Sequence, residues 1–337
     1  QSAIINFQFS ILMIHLIFTG GTISMQRDAA AGGKIPSLDG KALVNMAPGL
    51  RELAPIKIDD WGRHPACHMD QAKLWELREH VRSVATASRA STLPSGIVIT
   101  HGTDTIEETG YLLARTLDLE LPVVITGAMR TSGDPGWDGP GNLTDAVRVA
   151  TDPGSRNRGV MVAFAGQVFA AHQAVKTHTS DLDAFSAPHA AALGTVSAAG
   201  VHFQVPGAKP AALTPSGLSA RVAMIPVITG DNGEILDRAL SFFDGVVVVG
   251  YGTGNCPPGI IPAVRHWLDA GKPVVLASRC VRGEVSATYA FPGAGGDLIR
   301  LGVVPAGPRA PSQARMELAI CLSAGLAYGT EGVGGRV

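Results

Sequence analysis

An α/β architecture is predicted for this chain: a three-layer N-terminal domain on a mainly parallel sheet, followed by a smaller α/β C-terminal domain. Three observations carry the prediction. Short apolar runs of β-formers alternate with helical patterns, the βαβ rhythm that places helices on both faces of a parallel sheet. At 337 residues the chain exceeds what one hydrophobic core usually serves. The stretch 204–219 turns rich in proline, glycine, alanine and serine, a composition that suits an interdomain linker.

The N-terminal run 4–18 is largely apolar, but no basic segment precedes it, and Asn6, Gln8, Ser10 and His15 interrupt it. It reads as a buried strand over 11–18 behind an unassigned ten-residue extension, neither a secretory signal nor a membrane span. Further strands are expected over 96–100, 123–126 and 160–165, with helices over 71–84, 107–118 and 142–150. Asn142, with Asp145 three residues on, reads as the capping start of the last helix. The boundaries drawn are an N-terminal domain over 11–205, a linker over 206–220 and a C-terminal domain over 221–337. In the second domain, strands 222–227, 246–249 and 273–277 alternate with helices 233–243 and 260–270, and a helix over 313–324 closes the chain.

Composition narrows the function. The chain is 46% hydrophobic and 16% charged with a formal net charge of -1, the opposite of a disordered balance. It lacks the basic excess that nucleic-acid binding wants. A mean hydropathy of +0.21 suits a surface partly covered by another subunit. Cys67, Cys256, Cys280 and Cys321 form no C-x-x-C pair. They read as reduced thiols of a cytoplasmic protein, not as a disulfide framework or a metal site.

The chemistry concentrates in two segments, F-T-G-G-T-I at 18–23 and H-G-T-D-T at 101–105. Each puts a threonine just past a strand, where open α/β sheets bind ligands. Gly20 and Gly21 permit a tight turn that could aim amides at a carboxylate or an oxyanion. Neither G-x-G-x-x-G nor G-K-[ST] is present there. Thr22 alone reads either as a turn or capping threonine or as a nucleophile. Asp104 could cap the following helix, with Glu107 completing a capping box, or serve a site as an ionised carboxylate; the two roles are compatible. Lys176 lies in V-K-T-H-T-S-D at 175–181. Beside Asp104 and partly desolvated, it could polarise or deprotonate a threonine hydroxyl. The residues by themselves point to a Thr–Lys–Asp hydrolase acting on an acyl group. The small residues of 26–34 suit either a mobile cover or a plain surface loop, and 132–141, with Trp137, is expected beside the same crevice.

These segments resemble the bacterial-type L-asparaginase and glutaminase-asparaginase family, over about 11–327. The resemblance rests on T-G-G-T-I at 19–23, H-G-T-D-T-I-E-E-T at 101–109, G-A-M-R-T-S at 127–132, D-G-P-G-N-L at 138–143, K-T-H-T-S-D at 176–181 and P-S-Q-A-R at 311–315. It implies hydrolysis of a side-chain amide in two steps. Thr22 would be the nucleophile that forms an acyl-enzyme, and Thr103, Lys176 and Asp104 would move protons and activate water. Asp104 would also bind the substrate's α-ammonium. Amides of Gly21 or the Thr103 region, with Ala128, would hold the oxyanion. The resemblance further implies a small amino-acid amide as substrate, no cofactor or metal, and a homodimer or homotetramer; the composition and the short, interrupted apolar run lead to no nucleic-acid or membrane partner being expected.

Three departures mark this chain. The family's lid carries a tyrosine, whereas 25–38 has none; the tyrosines are Tyr111, Tyr251, Tyr289 and Tyr328. Tyr289 is the candidate replacement, from the second domain or a partner subunit. Where the family holds the substrate α-carboxylate with a serine, this chain has H-P-A-C-H-M at 64–69, so Cys67 and His68 become the expected contacts. As sequence neighbours these two point apart, which disfavours a Cys–His nucleophile pair. Asn255, in G-T-G-N at 252–255, matches an asparagine supplied to an adjacent site. The family's cross-subunit acidic residue has no evident match in 291–297, where Asp297 is the candidate replacement. Three readings follow: an L-asparaginase with or without glutaminase activity, an amidohydrolase for a related small amide, and a non-catalytic amino-acid-binding homologue.

Overall fold

The computed structural model describes residues 13–87, 95–207 and 209–329. Positions 11 and 12 of the first expected strand, the extension before it and the tail after 329 lie outside the described residues. The first domain is built on an eight-stranded sheet. Ile56–Asp59, Ile14–Phe18, Gly96–Thr100, Val123–Thr126 and Val160–Phe164 lie side by side in that order and run parallel. Four of these five are apolar runs buried along both faces, as expected of central strands covered by helices.

Helices Gln71–Thr86 and Ile106–Thr116 cover one face through Leu77, Val81, Ile106 and Leu113. Helices Gly40–Asn45, Leu50–Leu53 and Gly139–Thr151 cover the other through Leu43, Leu50, Leu143 and Val147. Each fully buried Leu, Ile or Val contributes about 1.5–3 kcal/mol relative to exposure. Three layers result, as predicted.

The sheet is mixed at one side. After Val160–Phe164 the chain reverses through Ala165 and Gly166, both at positive φ (48° and 76°), the signature of a two-residue primed hairpin turn. Gln167–Ala170, Gly194–Ser197 and Gly200–Phe203 then continue the sheet antiparallel. Ala165, expected to end a strand, is therefore a turn residue. Asn142 is also not a cap. The helix begins at Gly139 after Asp138, and Asn142 sits inside it, buried, donating to Gly127 O and Asp138 Oδ2, both at 3.0 Å. Its Oδ1 accepts from the Ala165 amide. The residue ties three loops together instead of starting a helix.

The second domain has a four-stranded sheet in the order Val222–Pro226, Gly245–Gly250, Val274–Ser278, Val304–Pro305, all parallel. Helices Glu234–Ala239 and Ile261–Asp269 cover one face, and the closing helix Pro311–Ser323 covers the other. That last helix also packs along Ile106–Thr116 of the first domain. The connection between domains is strapped down: Leu213 N donates to Arg115 O, and Gln71 Nε2 to Ala220 O. No helix among the described residues is long and apolar enough to cross a membrane.

Candidate active site

Ile14–Phe18 and Gly96–Thr100 are neighbours in the sheet, and the chain leaves them toward opposite faces. After Phe18 it enters the layer of Gly40–Asn45; after Thr100 it enters that of Ile106–Thr116. Ligand crevices open outside the carboxyl ends of two such strands. Both threonine-bearing segments lie there.

The two turns touch through glycine. Gly20 and Gly21 have φ of 108° and 82°, values an L side chain rarely adopts. A Cβ on Gly21 would lie 2.4 Å from Gly102 Cα, and one on Gly20 would lie 2.4 Å from His64 N. Thr22 and Thr103, each the next residue after a contacting glycine, therefore stand on adjoining backbone. Thr22 opens the short helix Thr22–Ser24 and is half-buried. Its hydroxyl makes no hydrogen bond among the described residues. Thr103 opens the corresponding helix Thr103–Thr105 and is buried.

Lys176 closes the arrangement. Its Nζ donates to Thr103 Oγ1 at 2.9 Å and to Asp104 Oδ1 at 2.7 Å. The lysine side chain is 16% exposed and the aspartate 69%, so the amine is inside and the carboxylate faces the opening. With Lys176 donating to its oxygen, the Thr103 hydroxyl proton is directed elsewhere, free to meet a substrate or a water. Asp104 makes no capping bond; the Ile106–Thr116 helix starts after Thr105 without a side-chain cap. Glu107 does not complete a capping box either. It accepts from the Lys176 amide at 3.0 Å and from Ser312 Oγ at 2.6 Å. Burial pushes its carboxyl above the usual carboxylate range, and those two hydrogen bonds oppose the shift.

Cys67 and His68 lie on the short helix Ala66–His68, both exposed, and make no hydrogen bond to each other. The turn is pinned to the site where Thr105 Oγ1 donates to Ala66 O at 3.1 Å. Ala128 is buried just beyond Val123–Thr126. The Gly21 amide is already donated to His64 O at 3.0 Å, which removes it as an oxyanion donor. The amides of Thr22, Thr103 and Ala128 have no acceptor among the described residues. Asn255 stands apart in the second domain, where its Oδ1 accepts from Gly295 N; no hydrogen bond among the described residues links it to the threonines. Asp297 likewise bonds locally, to Gly293 N, and Tyr289 stacks on Phe291.

The 26–34 segment folds as a β-hairpin, Met25–Asp28 against Gly33–Pro36. Lys34 pairs with Asp134 at 2.6 Å, and Ser132 Oγ donates to Met25 O, which latches the hairpin to the 132–141 loop. That loop is fixed from below, because Asp138 accepts from the amides of Met129 and Arg130.

Sequence reasoning missed His101. Its ring is fully buried between Gly102 O, which accepts from Nδ1–H, and Thr109 Oγ1, which donates to Nε2. Burial pushes its pKa down to about 4. The unfolded chain takes up the proton first, so the neutral ring's contribution is complete above about pH 6.5. It is lost as pH falls from there toward about 4, an effect on the order of 3 kcal/mol. His101→Gln should therefore flatten the fall in urea midpoint between about pH 7 and about pH 4.5. An unchanged fall would show that this ring does not carry the acid sensitivity.

Comparison with known proteins places the sequence and the fold. Residues 13–208 match the model of the asparaginase N-terminal domain, and 221–329 that of the glutaminase/asparaginase C-terminal domain. A probable L-asparaginase from Deinococcus radiodurans is 36% identical over 324 residues, covering 94% of each chain. L-asparaginase 2 of Escherichia coli is 30% identical, covering 92% of this chain and 88% of its own. The crystal structure of a probable cytoplasmic L-asparaginase from Campylobacter jejuni superposes with a TM-score of 0.81 at 30% identity. It covers 92% of this chain and 95% of its own.

Proposed function

The chain belongs to the asparaginase family, and we propose that it hydrolyses the side-chain amide of L-asparagine to L-aspartate and ammonia through an acyl-enzyme on Thr22. One observation supports the reading: Lys176, Thr103 and Asp104 form a hydrogen-bonded group beside the Gly21–Gly102 backbone contact, from which Thr22 follows directly. Thr22 Oγ1 attacks the carboxamide carbon, the C–N bond breaks, and ammonia leaves with the proton from the hydroxyl. Water then attacks the ester, returns a proton to Thr22 and frees the carboxylate. Thr103 and Lys176 relay the protons, and the amides of Thr22, Thr103 and Ala128 are the donors available to the oxyanion. Asp104, exposed toward the opening, binds the α-ammonium while keeping its bond to Lys176. Cys67 and His68, on the adjoining turn, take the α-carboxylate.

The assignment of Asn255 rests on a second copy of the chain, since within one copy its side chain bonds to Gly295. A homodimer or homotetramer supplies that copy, and the Campylobacter relative, described as cytoplasmic, supports the same compartment here. Cys67 and His68 also favour a second reading, hydrolysis of glutamine or another small amide. A thiol is a weaker donor than a hydroxyl, and one methylene shifts selectivity only modestly.

Ammonia release by the purified protein tests both readings. Release is expected from L-asparagine, with L-glutamine and N-substituted or D-configured amides run beside it. A clear preference for one of those would replace the asparagine assignment, and a folded protein inert toward all of them would leave only an amino-acid-binding role.

A further inference from the structure

The P-S-Q-A-R segment opens the last helix of the second domain, yet its side chains grip the stretch that carries Lys176. Ser312 Oγ donates to one oxygen of Glu107, whose other oxygen accepts the Lys176 amide. Gln313 Nε2, buried, donates to Ala174 O at 3.0 Å. Arg315 pairs with Glu108 at 3.0 Å. Glu107 thus holds the second domain with one oxygen and the strand of the lysine with the other.

Lys176 needs such support. It ends a two-residue strand, Val175–Lys176, paired among the described residues only with Phe185–Ser186, and so short a ladder fixes a backbone poorly. Four rotatable bonds separate that backbone from Nζ, which must meet Thr103 and Asp104 together. Glu107 stands on Ile106–Thr116, a rigid helix packed on both domains. Glu107 and Lys176 both line two cavities. One, of about 360 Å³, is lined by Asp104, Thr177 and His178. The other, of about 250 Å³, lies at the domain junction against Met224, Cys280 and Ser312.

We infer that Glu107 is a positioning residue that sets Lys176 against Thr103, and that the second domain contributes to the reaction by holding Glu107 and Ala174 through Ser312 and Gln313. The inference rests on the function proposed above, with Lys176 relaying protons. A misplacement of about 1 Å can cost on the order of 10²-fold in rate, so the effect belongs in kcat. The substrate's α-groups are held by Asp104, Cys67 and His68, whose backbones lie on other segments, so KM should move less than kcat.

The test uses the full chain with Glu107→Ala, Glu107→Gln and Gln313→Met. Each is measured for kcat and KM on asparagine per folded protein, and for hydrogen exchange at the Lys176 amide. Glu107→Ala should lower kcat by about 10- to 100-fold with KM within about threefold, and speed that exchange. Glu107→Gln should restore most of the rate, because its carbonyl still accepts the Lys176 amide while its NH₂ turns to Ser312 Oγ. Gln313→Met, which keeps the volume, should lower kcat by a smaller factor at constant KM. Wild-type kcat in folded Glu107→Ala, a raised KM with kcat kept, or failure of glutamine to rescue would each overturn the inference. Should Glu107→Ala not fold, Gln313→Met decides alone: an unchanged kcat overturns it and a lowered one upholds it. Should the wild type release no ammonia at all, the proposed function falls. The exchange rate still decides, since an unaltered Lys176 amide in the variants refutes the positioning and a faster one supports it.

Discussion

Thr22→Ala should abolish ammonia release, lowering kcat by about 10⁴-fold or more, while the protein melts within about 2 °C of wild type. The two halves of the expectation have separate causes. Thr22 Oγ1 is bonded to nothing among the described residues, and the residue is only half-buried, so its removal leaves no orphaned group and no large cavity. The rate loss follows because no other hydroxyl in the crevice is placed to replace it. Thr103 already accepts from Lys176 and is buried against the second turn. Thr103→Val and Lys176→Met should cost less, about 10²–10⁴-fold, since each removes proton transfer but leaves the nucleophile. Rapid mixing with asparagine and acid quench should trap an acyl adduct in wild type and none in Thr22→Ala. Near-wild-type turnover by Thr22→Ala would show that the bond-forming oxygen lies on another residue.

Much of this site was legible because its signals are local. A run of β-formers followed within a few residues by glycine and threonine, met at 20–22 and again at 102–103, announces two strand ends, and parallel sheets bring such ends together. Lys176 was harder. Its route to Thr103 passes through an antiparallel edge and a two-residue hairpin, with Gln167–Ala170 and Gly194–Ser197 too short and too mixed in polarity to stand out as strands. Glu107 and Asn142 were misread for one shared reason. Both sit where a helix start wants an acceptor, and sequence cannot tell an acceptor spent on its own helix from one spent on a segment dozens of residues away. The hairpin was similarly hidden, because Met25–Asp28 and Gly33–Pro36 bury little and are held by their mutual ladder and by polar contacts such as Lys34–Asp134 and Ser132–Met25.

The largest stability effect is expected away from the chemistry, at Glu317→Ala. Glu317 is fully buried on the last helix and takes a two-point contact from Arg115, at 2.8 and 2.9 Å, with Tyr111 OH donating at 3.1 Å. Arg309 Nε donates in turn to that phenol at 2.7 Å. Burial pushes the Tyr111 phenol well up and the Cys321 thiol to about 12, so both remain protonated at neutral pH. The alanine variant leaves the Arg115 charge buried without its carboxylate at the seam between the domains. Breaking such a pair from one side costs about 3–5 kcal/mol, on the order of a 10 °C drop in melting temperature for a chain of this size. The pair as a whole is worth less than that loss suggests, because both ions gave up hydration to enter the interior. Arg115→Met combined with Glu317→Leu should consequently recover most of the stability, short of the bonds lost by Tyr111 and by Ala211 O, which also accepts from Arg115. A single variant that melts with wild type would mean that solvent reaches Arg115 once the carboxylate is gone. A double variant as unstable as the single would mean that the ions themselves, not the avoidance of an unpaired charge, hold the last helix to the first domain.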